Sequence, residues 1–165
     1  MTNRSRIAIR ILIAALSLAT AYTFAQTDAQ KAFSSIKALP GTWEGDTNMG
    51  PVKVTFRSTA GGSAVMSEIL GKEDMITMFH LDGARLLMTH YCAAGNEPRM
   101  QASLSADGKV ITFNFVDATN LPSPDAPHMH RMVLTLIDEN HHTEEWTFVD
   151  HGKEHKEIFD LRRKS

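Results

Sequence analysis

At Pro40 the apolar periodicity of this 165-residue chain changes from about 3.6 to 2, and it keeps the period of 2 to the end. Ten short segments follow: Thr42–Thr47, Val52–Ser58, Ser63–Leu70, Met75–Leu81, Arg85–Cys92, Arg99–Ser105, Val110–Asp117, His130–Asp138, Thr143–Asp150 and Glu154–Arg163. Most are separated by tight-turn signals such as Asp82-Gly83, Asp107-Gly108 and His151-Gly152. No helix-length segment interrupts them, so a parallel α/β sheet is excluded. Val52, Val54 and Phe56 share one face of a strand; Ile111, Phe113 and Phe115 share one of another, and Trp146 and Phe148 of a third. One face is therefore buried in strand after strand. With no helices to cover the edges, closure is the economical arrangement. The fold expected is all-β: a single up-and-down antiparallel barrel of about ten strands, residues 39–165.

A short helix, Asp28–Lys37, is expected to precede it within a 26–38 linker, with Asp28 as N-cap and Pro40 as stop. Residues 1–25 read as a secretory signal peptide. Arg4, Arg6 and Arg10 form its basic region, Ile11–Ala25 its apolar region, and Thr23-Phe24-Ala25 a small-residue cleavage site. The apolar stretch is shorter than the ~20 residues of a spanning helix. Export to a periplasm or the exterior follows as an expectation, with no membrane span after cleavage. Cleavage lowers Lys plus Arg from 17 to 14 against 19 acids, so the mature net charge is −5 rather than −2. Nucleic acid is a poor partner for that surface. Cys92 is the only cysteine, so no intrachain disulfide forms.

The Leu39-x-Gly41-x-Trp43-x-Gly45 opening, the Gly83 hairpin, Arg131-x-Val133-x-Thr135-x-Ile137-Asp138 and Gly152-Lys153-Glu154 together resemble the calycin or lipocalin-like barrels. Most closely they resemble exported bacterial barrels of a domain-of-unknown-function family, over roughly residues 38–163. That resemblance implies an internal cavity and makes Gly41, Trp43 and Gly45 a structural barrel floor. A weaker resemblance, to nitrobindin-type barrels, rests on the Gly-x-Trp opening and the strand count. It implies haem held by a histidine on a late strand, a place His155 occupies.

The densest unusual segment is Thr89–Met100. His90 and Cys92 alternate onto the face of Leu86 and Met88, towards the interior. Asn96 and Arg99 have the chemistry to bind a polar ligand head at the mouth. The candidate ligand site is thus His80, His90, Tyr91, Cys92, Asn96 and Arg99, a polar anchor in an apolar cavity. The competing reading is an internal network, with His90 bonded to Tyr91 or a carbonyl and Arg99 paired with Glu97. His128 and His130 have the alternate spacing of metal ligands on a strand, with His80 or His90 as a third. His141-His142 and His151 fall at hairpin tips, where solvated side chains are usual. No nucleophile elbow, phosphate loop or metalloprotease motif occurs, and Cys92 reads as an inert buried thiol. The function expected is non-catalytic binding of a small apolar or amphipathic molecule, without a cofactor. The alternatives are a structural or interaction protein with a filled barrel, and a haem or metal barrel using His155 or His128 and His130.

Overall fold

The alternating segments become ten antiparallel strands in a computed structural model that describes residues 25–71 and 73–164. Apart from Ala25, the segment expected to be a signal peptide lies outside the described residues. The strands are β1 (Gly41–Thr47), β2 (Gly50–Thr59), β3 (Ala64–Leu70), β4 (Met75–Asp82), β5 (Arg85–Tyr91), β6 (Glu97–Leu104), β7 (Val110–Thr119), β8 (His128–Asp138), β9 (His141–Asp150) and β10 (Lys153–Arg163). Each pairs with its neighbours in sequence, and β1 pairs with β10 to close the barrel. Among the described residues no helix is long and apolar enough to cross a membrane.

One helix, α1 (Asp28–Ile36), precedes β1. Its N-cap is Thr27 rather than Asp28: Thr27 and Gln30 form a reciprocal capping box. Ala32, Phe33 and Ile36 are buried in the barrel's core cluster, so α1 closes the end of the barrel where β1 begins.

The Gly-Thr-Trp-Glu-Gly run works at that closed end. Trp43 is fully buried, its indole N–H donates to Leu39 O at 2.9 Å, and the Arg163 guanidinium lies 4.3 Å above its ring. Arg163 also donates to the carbonyls of Ala38, Pro40 and Glu139, tying the helix–strand linker to the last strand. Gly45 faces Leu161 across the closing seam. A Cβ there would lie 1.8 Å from the Asp160 carbonyl oxygen, so no other residue permits so close an approach.

From this floor to mid-height the barrel is filled by its own side chains. Phe56, Phe79, Leu86, Met88, Met100, Ile111, Phe113, Met132, Leu134, Phe159 and Leu161 are all buried. Towards the other end the seams part. β1 and β10 pair only from Trp43↔Arg163 to Asp46↔Asp160, and β7 and β8 only over Val110–Asn114 and Arg131–Thr135. Pro98 lies inside β6, where its neighbour Arg99 starts a register shift against β7.

Candidate functional site

The parted seams leave a cavity of about 860 Å³ at the mouth. Its apolar walls are Met75, Met129, Trp146 and Phe148, with Cys92, Ala93 and Ala94 from the β5–β6 connection. Asn48 and Met49, at the β1–β2 turn, face Glu154, His155, Lys156 and Glu157 of β10 across the opening. The volume falls within the ~300–1,000 Å³ of small-molecule sites. A second hollow of about 590 Å³ lies beneath the floor, lined by Ser35, Leu39, Lys109, Asp138 and Arg163 among others. There the one guanidinium is already committed to three carbonyls. The mouth, with its aromatic and thioether walls, is the better candidate.

The mouth brings together only part of the set read from the sequence. Cys92 lines the cavity. Its thiol is pushed above the ordinary value by burial, and the nearby Glu73 adds to this, so it stays protonated. His90 lies in the wall beneath it, fully buried, with its ring 4.8 Å from that of Trp146. Nδ1 of His90 is hydrogen-bonded to the Thr77 hydroxyl at 2.9 Å, while Nε2 is buried without a partner among the described residues. Burial lowers its pKa to about 4, so the imidazole is neutral. This is an internal bond, but its partner is Thr77 rather than Tyr91 or a carbonyl.

The other members stand elsewhere. Tyr91 is half exposed on the outer face. His80 alternates with the buried Thr77 and Phe79 of β4, so it too faces outward. Arg99 projects outward, bonded to Asp117 and Thr119 rather than to Glu97. Asn96 is buried and donates to Pro127 O at 2.8 Å, joining the β5–β6 loop to the proline-rich β7–β8 loop.

His128 and His130 do meet, but each is the other's partner: Nε2 of His128 lies 3.0 Å from Nδ1 of His130. His128 is also bonded to Ala126 O, and Phe115 packs against both rings, filling the space where β7 and β8 diverge. Desolvation, then the neighbouring His128, lowers the pKa of His130, with Glu154 opposing. Among the described residues no three His, Cys, Asp or Glu side chains are placed to hold a metal. His155 lines the cavity, and its imidazole makes no hydrogen bond among the described residues.

The burial of two ionisable residues escaped the sequence reading. β9 begins at His141, so His142 is not at a solvated tip but in the core, with Trp43 and Phe56 edge-on to its ring. Its Nε2 lies 3.4 Å from Glu144, which is equally buried and accepts the Trp146 indole N–H at 2.9 Å. The signal was present: counting back in twos from Trp146 gives Glu144 and His142. This carboxyl anchors the Trp146 indole at the base of the cavity.

No family model matches this sequence, and no curated protein matches it. Among solved structures, the fold is similar to the crystal structure of Rv2717c from M. tuberculosis. The two share a TM-score of 0.54 and 15% identity over 81% of this chain and 98% of that one. That likeness shows the fold alone.

Proposed function

We propose that this is an exported binding barrel, akin to the lipocalin-like containers, that holds one small amphipathic molecule in the mouth cavity and performs no catalysis. The observation that carries this reading is a barrel packed solid on the floor side yet hollow at the mouth, with Trp146 fixed by Glu144 at the base of the hollow. The rim also indicates the ligand's polarity. Lys156 is engaged by Glu145 on the outside at 2.7 Å, and among the described residues neither Glu154 nor Glu157 forms an ion pair. An apolar tail against Met75, Met129 and Phe148 with a cationic head at this rim satisfies both chemistries. The polar anchor thus shifts from Arg99 and Asn96 to Glu157, which shares the inward parity of Phe159, with Glu154 at the outer edge of the rim.

The test reads Trp146 emission in a Trp43→Phe variant, which leaves one indole. A decyl-trimethylammonium probe, below its micelle concentration, is expected to shift the emission at a concentration about tenfold lower than decyl sulfate, a gap of roughly 1.4 kcal/mol. Equal response to both, or to neither, overturns the reading.

A second reading is favoured by one observation: His155 stands free on a wall shared with Met75, Met129, Trp146 and Phe148. An imidazole on an apolar wall fits an axial haem ligand, although Glu157 beside it fits less well. Titration with haemin decides it. A sharp Soret band that His155→Ala abolishes supports haem, and a band unchanged by that substitution rejects His155 as the ligand.

A further inference from the structure

β10 outruns the strand it closes onto. Past Asp160 it continues to Lys153 and, among the described residues, pairs only with β9, while β1 ends at Thr47 and turns away. In an antiparallel ladder alternate residues bond to opposite sides. Arg163 N–H donates to Asn140 O, next to β9, and Lys164 N–H donates to Thr42 O, next to β1. The same parity points the backbone groups of Ile158, Lys156 and Glu154 away from β9, into the opening. The β1–β2 turn stands across the cavity from this edge and does not cover it.

Charged residues on such an edge ordinarily discourage pairing. Here their order does the reverse for one partner. The segment reads Lys153-Glu154-His155-Lys156-Glu157. Turned end for end about His155, it sets Lys153 against Glu157 and Glu154 against Lys156. The backbone parity permits that register: Glu154 and Lys156 both face the edge and become a hydrogen-bonded pair, while Lys153, His155 and Glu157 take the other positions. Moving the centre by one residue either way opposes Lys156 to Lys156 or Glu154 to Glu154, which like charges disfavour.

We propose that the free half of β10 pairs antiparallel with the same segment of a second copy of this chain, about a two-fold axis through His155. The contact is isologous and closes as a dimer. A single sheet then runs through both barrels. Lys153, Glu154, His155 and Lys156 are exposed and available for it. On the outer face Lys156 sits between its own Glu145 and the partner's Glu154. The pairing engages Glu154 and Glu157, the carboxylates that the proposed function places at the rim, and its test, the oligomeric state, is read without ligand.

The test uses the mature chain, sedimentation velocity and native mass spectrometry. Two single variants, Lys153→Glu and Glu157→Lys, alter side chains that make no ion pair among the described residues. Thermal unfolding confirms that each folds. The wild type is expected to be dimeric at about 100 µM, a concentration at which even sub-millimolar association populates the pair. Each reversal places like charges opposite one another twice, so each variant is expected to dimerise on the order of tenfold more weakly. Mixing the two variants restores both complementary pairs, and heterodimers are expected to exceed the statistical share. A wild type that stays monomeric, a dimer that neither reversal weakens, or a mixture without heterodimer excess overturns the proposal.

Discussion

Gly45 carries more of this fold than its lack of a side chain implies. Its Cα hydrogens occupy the only space left between β1 and the Asp160 carbonyl. Gly45→Ala is expected to lower unfolding stability by about 3 kcal/mol in urea titrations, as overpacking without room to relax does. Gly71→Ala, where a Cβ meets nothing within 4 Å among the described residues, is the control and should change little. His90 gives a residue-scale prediction of another kind. Its folded pKa of about 4 lies below the ordinary 6.5, so between those values the unfolded chain binds a proton that the folded chain refuses. Stability is therefore intact above pH 6.5 and falls as the pH drops towards 4, by roughly 3 kcal/mol. His90→Gln should flatten that part of the curve of unfolding free energy against pH. An unchanged slope would place the titration elsewhere.

At the scale of elements, the strands were legible from alternation and turn residues because each has one buried face. Helix α1 was legible too, although its cap was not. Asp28 and Thr27 are both competent, and it is the reciprocal bond with Gln30 that selects Thr27. What alternation does not disclose is where neighbouring strands stop pairing. The parting of β1 from β10 and β7 from β8 depends on bulges and strand lengths that act across the sheet. For the same reason the candidate site was only half legible. Parity turned Cys92 and His90 inward correctly, whereas Arg99 lies opposite parity to Met100 and bonds outward to Asp117. Strand alternation read from Thr143 leaves His142 in a turn, one residue outside β9 as it forms. Arg163 joins three elements through the carbonyls of Ala38, Pro40 and Glu139 and through the Trp43 ring. Arg163→Lys keeps the charge but loses the planar fork, so it should cost about 2 kcal/mol in unfolding stability. A lysine variant as stable as wild type would show that the fork is dispensable.

The whole molecule is a cylinder divided along its axis. The half next to α1 is a conventional core, and the half at the mouth keeps about 860 Å³ free. The two uses of a small barrel, filled and open, thus occupy opposite ends of one chain. This division explains why a Trp in each half has a different role. Trp43 is locked between Arg163 and His142, and Trp146 presents a fixed indole to the cavity. Filling the mouth should therefore leave folding intact and remove binding. Native mass spectrometry of the protein, purified under mild conditions from the cells that make it, tests this most directly when wild type is compared with Ala94→Trp. The account predicts one small molecule retained per wild-type chain and none on the filled variant. A wild type that carries nothing, or a variant that carries the same cargo, would contradict it.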